Sequence, residues 1–169
     1  MAIKKEEPRW LNPREMKAWR SYIIASRRLL EALDTDLEGH DLSMADYEVL
    51  AQLSDAPGRK MRMSELAEIS MISKSRLSHR MKVMEKAGWV RREECTSDKR
   101  GYFAVMTDRG WKAIVKAAPD HVASVRGRFV DHLTVKDQED LAKIFDRVIG
   151  ELRGQFLDET STPKKIVSK

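Results

Sequence analysis

The chain has 169 residues, 41% hydrophobic and 35% charged: enough length for one domain with a real core, and a composition unlike that of a disordered chain. No apolar run approaches the ~18 residues needed to cross a bilayer, the charged start Met1-Ala2-Ile3-Lys4-Lys5-Glu6-Glu7 has no secretory pattern, and the single cysteine, Cys95, excludes an internal disulfide framework, so a cytoplasmic location is expected. The net charge of +5 is local, because residues 59–112 hold 14 Lys/Arg against 7 Asp/Glu while the remainder holds 18 against 20. A concentrated basic segment is the footprint of a nucleic-acid surface, although a solvated charged face looks the same in isolation.

In chain order, residues 1–12 read as a loose arm, with Pro8 and Pro13 flanking Trp10 and Leu11. Pro13 suits the first turn of a helix, where its missing N–H costs nothing. From there to about residue 38, Met16, Trp19, Ile23, Ser26, Leu30, Leu33 and Leu37 recur in steps of three and four. That is an amphipathic helix, weakened only at Ser26, with Gly39 as its stop. Ser43-Met44-Ala45-Asp46 is a capping box opening a second helix, whose apolar side holds Tyr47, Leu50, Ala51 and Leu53. Asp55-Ala56-Pro57-Gly58 ends it. A short third helix over 64–69 would bury Leu66, Ala67 and Ile69. After Ser70-Met71-Ile72, Ser73 caps a fourth helix ending near Gly88.

The period then changes. Residues 89–93 and 102–106 are strand-like, and the polar stretch 95–101 joins them as a β-hairpin. Thr107 caps a fifth helix running to about Leu133, which Pro119 should kink or break. Thr134-Val135-Lys136-Asp137 is another capping box. It opens a sixth helix bearing an apolar stripe of Leu141, Ile144, Phe145, Val148, Ile149, Leu152 and Phe156. Residues 158–169 read as a disordered tail. The fold class is therefore mainly α with a small β-hairpin wing (α+β), a winged helix-turn-helix head on a helical platform.

A helix-turn-helix needs a short helix, a tight turn and a second helix whose outer face fits the major groove. On the fourth helix Leu77, Met81 and Met84 share one face, which points inward. Ser75, His79, Lys82 and Lys86 fall opposite, Arg76 and Arg80 flank one edge, and Ser78 the other. Donors and positive charge, with no acid before Glu85, are what phosphates and the acceptor-rich edge of guanine require. Arg76, Ser78 and His79 are the expected base readers. Ser73, Lys74, Ser75 and Arg80 are the expected phosphate contacts, helped by the positive end of the helix dipole. In the hairpin tip, Asp98, Lys99 and Arg100 would place a guanidinium beside the minor groove, with Asp98 steadying Arg100. A charged surface turn would carry the same residues.

Ser64-Glu65-Leu66-Ala67, Ser73-Lys74-Ser75-Arg76-Leu77-Ser78, Glu85-Lys86-Ala87-Gly88-Trp89-Val90-Arg91-Arg92, Ser97-Asp98-Lys99-Arg100 and Val105-Met106-Thr107-Asp108-Arg109-Gly110, taken in order, resemble the MarR family of winged helix-turn-helix transcriptional regulators. The matched block covers 64–110, and the helix order agrees over almost all the rest. The resemblance implies one MarR-like domain over 1–169. Within it, 13–38 and 107–157 would form a helical dimerisation region and 43–106 the winged helix-turn-helix DNA-binding region. It implies a homodimer on a palindromic operator, repression of transcription, and release by a small-molecule effector. The family's wing Asp and Arg fall on Asp98 and Arg100, and Met71 stands at the turn where many helix-turn-helix proteins have Gly.

Dimerisation also follows from the chain itself, because the apolar stripes of the first and sixth helices exceed what a small head could cover. Two recognition helices would then lie about 34 Å apart, one DNA turn, on a pseudo-palindromic site. The implied effector, a small phenolic or other anion, would bind where platform meets head. Trp19, Tyr22, Tyr47 and Trp111 could border that pocket or serve as core. His40, His79, His121 and His132 lack the clustering of a zinc site, no phosphate loop, nucleophile elbow or carboxylate pair marks an enzyme, and no cofactor is expected. Cys95, in a strand, is expected to pack as a small apolar residue rather than act as a redox switch. Two other readings remain open: a winged-helix protein-interaction module and a nonspecific architectural DNA-binding protein.

Overall fold

The computed structural model describes residues 8–70, 72–95 and 101–156. Met71, the hairpin tip with Asp98, Lys99 and Arg100, and the tail expected at 158–169 lie outside these described residues. The elements are α1 (Pro13–Glu38), α2 (Met44–Asp55), β1 (Lys60–Arg62), α3 (Met63–Ile69), α4 (Lys74–Lys86), β2 (Val90–Glu94), β3 (Tyr102–Met106), α5 (Asp108–Arg128) and α6 (Val135–Phe156).

Most helix starts are set by side-chain caps. Asn12 and Glu15 form a reciprocal capping box at α1, with Pro13 at the first helical position. Ser43 and Asp46 do the same for α2, and Thr134 and Asp137 for α6. The stops differ from expectation at one point. Gly39 is right-handed (φ −63°), and the left-handed residue that ends α1 is Asp41 (φ 60°). The Leu42 N–H reaches the Leu37 carbonyl (3.3 Å) and the Asp41 N–H the Glu38 carbonyl (3.0 Å). This is a Schellman arrangement in which Asp takes the place usually held by Gly, and the buried pair Leu37 and Leu42 seals it.

Two further expectations need correction. Residues 60–62, which carry no strand signal of their own, form β1 and complete a three-stranded antiparallel sheet in the order β1-β3-β2. Lys60 lies opposite Val105 and Arg62 opposite Phe103. Helix α5 runs unbroken through Pro119, and the chain leaves it at Arg128 for a 3₁₀ turn over Val130–His132. Pro119 is on the exposed side of the helix, as is Val115 four residues earlier. The carbonyl that Pro119 cannot serve therefore faces water instead of being orphaned in a core.

One continuous core joins head and platform. Leu37 and Leu42 meet Leu50 and Leu53 of α2, Leu66 of α3, Leu77, Met81 and Met84 of α4, Val90, Ala104 and Met106 of the sheet, and Ile114 and Ala117 of α5. Each large apolar side chain buried here stabilises by roughly 1.5–3 kcal/mol relative to exposure. By contrast, the platform is uncovered in a single chain. Trp19, Ile24 and Leu30 of α1, Val122 of α5, and Ile144, Val148, Ile149 and Leu152 of α6 are all exposed.

Candidate nucleic-acid interface

Helix α4 is built to present one face. Ser73 caps it, its hydroxyl accepting from the Arg76 N–H at 3.3 Å. Leu77, Met81 and Met84 are fully buried at its back, as their four- and three-residue spacing requires. Gly88 (φ 76°) ends it, with the Gly88 N–H on the Glu85 carbonyl (2.9 Å) and the Trp89 N–H on the Met84 carbonyl (3.0 Å). That reversal turns the chain into β2, so α4 and the wing strand are joined by three residues, Ala87, Gly88 and Trp89.

The expected site residues divide into two sets. Ser73, Lys74, Ser75, Arg76 and His79 are exposed along the N-terminal half of α4, with Lys82 and Lys86 continuing the face. Among the described residues, no ion pair engages Lys74, Arg76, Lys82 or Lys86. Ser78 and Arg80 are half-buried. The Ser78 carbonyl accepts from Arg92 Nη2 of β2 at 2.9 Å. Arg80, expected on phosphate, turns back onto α2, where its Nη1 donates to the Ser43 hydroxyl (3.3 Å) and to the carboxylate of Asp46 (3.4 Å). Asp46 is 5% exposed, and its other oxygen accepts from the Ser43 N–H (3.1 Å) and hydroxyl (2.5 Å). Arg80 therefore ties α4 to the start of α2 before any ligand arrives.

Several basic residues beside α4 are engaged within the fold. Arg59 stacks over the Trp111 ring at 4.0 Å and lies 3.5 Å from Asp108. Lys60 and Arg91 converge on Glu93, whose carboxyl they hold below the usual range, the Lys60 hydrogen bond contributing most. Lys60 and Arg62 also cover the Phe103 ring at 4.5 and 5.4 Å. Cys95 is buried at the end of the hairpin strand, with Arg62 Nη2 3.2 Å from its sulfur. Sequence reasoning missed Asp46 and Arg92 as partners of the recognition helix. Strand alternation was the available signal for Arg92, since it lies two residues from the buried Val90 and so on the same face.

At the junction of head and platform, α1 and α5 are joined by Asp36, which binds Ser124 and Arg128. His40 Nε2 lies 2.9 Å from Asp120. The His121 ring packs on Tyr47 with centroids 4.1 Å apart, and burial holds its imidazole below the ordinary range. The four aromatics expected at a pocket are not gathered around one. Trp19 and Tyr22 sit half-exposed on α1, Tyr22 against Phe145 (5.5 Å), while Tyr47 packs on His121 and Trp111 under Arg59.

Residues 40–101 match the model of the MarR family. AbsC, a MarR family transcriptional regulator from Streptomyces coelicolor, is 48% identical; the match covers 87% of this chain and 99% of that one, with a TM-score of 0.85. Sco3205, a MarR family transcriptional regulator from the same organism solved in complex with DNA, is 42% identical over 91% of this chain and 97% of its own, with a TM-score of 0.85. The HTH-type transcriptional regulator PecS of Dickeya dadantii is 32% identical over 97 residues, which span 56% of this chain and 58% of that protein.

Proposed function

Since the chain belongs to the MarR family of transcriptional regulators, we propose that it binds a pseudo-palindromic DNA operator as a homodimer, represses the genes behind it, and is released by a small anionic or phenolic effector. The carrying observation is the outer face of α4. Lys74, Ser75, Arg76, His79, Lys82 and Lys86 project from a helix whose back is locked by Leu77, Met81 and Met84. Sco3205, which shares this fold, is a DNA complex. Arg76 and His79 face base edges, with Ser78 at the rim. Ser73, Lys74 and Ser75 hold phosphates at the helix N-terminus, and Arg80 reaches phosphate only from its anchored position on Asp46. In the wing, Lys99 and Arg100 meet the minor groove, where Arg is drawn by negative potential, and Asp98 steadies the Arg100 guanidinium.

The dimer is supported by the exposed residues of α1, α5 and α6, too large an apolar area for a soluble monomer to leave open. A shallow depression along α1, lined by Pro13, Met16, Ile24 and Ala25 together with Lys17, Arg20 and Ser21, offers a seat for a partner helix. Repression follows from occlusion, because a dimer laid across one DNA turn on either side of a dyad covers a promoter. The effector would act at the junction of α1, α2 and α5, since tilting the heads there changes the spacing of the two α4 helices.

Selecting bound duplexes from a random library and comparing the selected sequence with its scrambled form tests this reading. The wild type should favour the selected duplex by about 10³-fold or more at physiological salt. Arg76→Ala should reduce that preference by about tenfold while changing the scrambled affinity little. Binding that is equal for both duplexes and vanishes with moderate salt would mean a nonspecific polycation contact instead.

A further inference from the structure

We propose that Arg92, on the wing strand, is a positioning residue that sets how faithfully the recognition helix reads sequence. The inference rests on the DNA-binding reading above and concerns a side chain that need not touch DNA. Arg92 stands on β2 opposite Ala104 of β3, on the strand face shared with buried Val90. Its guanidinium reaches two turns of α4 at once. Nη2 donates to the Ser78 carbonyl at 2.9 Å, and the same nitrogen lies 3.7 Å from the Glu85 carboxylate. Ser78 and Glu85 are seven residues apart, so both contacts fall on one stripe of the helix.

Three features separate this from an ordinary surface ion pair. The Arg92 side chain is only 25% exposed and that of Glu85 31%. The partner at Ser78 is a backbone oxygen inside the helix, which normally serves the helix alone; its second lone pair is taken here, so the contact reports the position of the helix backbone itself. Ser78 also lies between the two strongest base-reading candidates, Arg76 and His79. The buried back of α4 and the Arg80–Asp46 tie hold the helix to the core and to α2. Arg92 fixes α4 to the wing strand by a hydrogen bond, about midway along the helix, and with the Gly88 joint it sets the angle between helix and wing. Base contacts demand that the helix be placed within about 0.5 Å and about 10–20°, whereas phosphate contacts through long Lys side chains tolerate a looser fit.

The test measures affinities of wild type, Arg92→Gln, Arg92→Lys and Glu85→Gln for the duplex selected by the wild type and for its scrambled form, with thermal midpoints alongside. Arg92→Gln should lower the ratio of the two affinities about tenfold, chiefly through the selected duplex. Arg92→Lys, which restores the charge and one donor, should recover part of it. Glu85→Gln, which keeps the Ser78 contact, should lose least. A merely structural arginine would reduce the folded fraction and weaken both duplexes alike, leaving the ratio unchanged, and that result overturns the proposal. Should Arg92→Gln fail to fold, an unchanged ratio in Arg92→Lys overturns it equally. If the wild type selects no sequence at all, the DNA-binding reading fails first, and the positioning role falls with it.

Discussion

Gly110 offers a test in which two physical effects of known size oppose each other. It lies in the first turn of α5, where its N–H is bound by the Thr107 hydroxyl at 3.1 Å. Helix propensity alone favours Ala over Gly by about 1 kcal/mol. A Cβ at this position, however, would overlap the Trp89 carbonyl oxygen and press on Met106 Cγ at 3.0 Å. Overfilling a packed site costs about 1–3 kcal/mol, and the upper end applies because the obstacle is backbone. The same carbonyl accepts from the Thr107 N–H (3.0 Å) and lies 3.1 Å from its hydroxyl. Displacing it weakens contacts worth about 0.5–1.5 kcal/mol each. Gly110→Ala should therefore lose about 2–4 kcal/mol net, which for a chain of this length lowers Tm by roughly 5–15 °C. Thermal unfolding followed by circular dichroism at equal protomer concentration measures it. Gly127→Ala, in the same helix with nothing within 4 Å of the added carbon, is the control and should be neutral or gain up to about 1 kcal/mol. If both substitutions stabilise, the close approach of the wing root to α5 is wrong.

Two further perturbations probe the platform and its joint. Leu152→Asp puts a charge into the exposed stripe of α6; sedimentation should show monomer, and affinity for a two-half-site duplex should fall at least about tenfold, whereas an unchanged dimer would place the interface elsewhere. At His121 burial favours the neutral imidazole, with Asp36 opposing more weakly. The folded pKa thus lies below the unfolded value near 6.5, and between the two the unfolded chain binds the extra proton. Stability should accordingly fall as pH drops below about 6.5, and His121→Gln should flatten that part of the profile; equal slopes in both proteins would remove His121 from the joint.

Local signals were sufficient for most of this architecture. The buried face of α4 follows from the spacing of Leu77, Met81 and Met84, and the starts of α2, α5 and α6 from Ser43, Thr107 and Thr134, because caps and helical periodicity act within four residues. What was not legible depended on how the elements pack. Residues 60–62 become a strand only because β3 supplies hydrogen bonds more than forty positions later. Pro119 is tolerated because its side of α5 faces outward, and Asp41 adopts a left-handed conformation because Leu42 must turn back onto Leu37.

The same division holds for function. Residue types alone determined that this chain carries a cationic helix with a greasy back, since charge and period are properties of the linear order. Which of those cations remain available was decided by tertiary contacts. Arg80 is drawn to Asp46, Arg92 to Ser78 and Glu85, and Lys60 to Glu93, while Lys74, Arg76, Lys82 and Lys86 are left outward. Ion pairing is a question of distance in space, and the partners here stand between 7 and 34 positions apart in the chain.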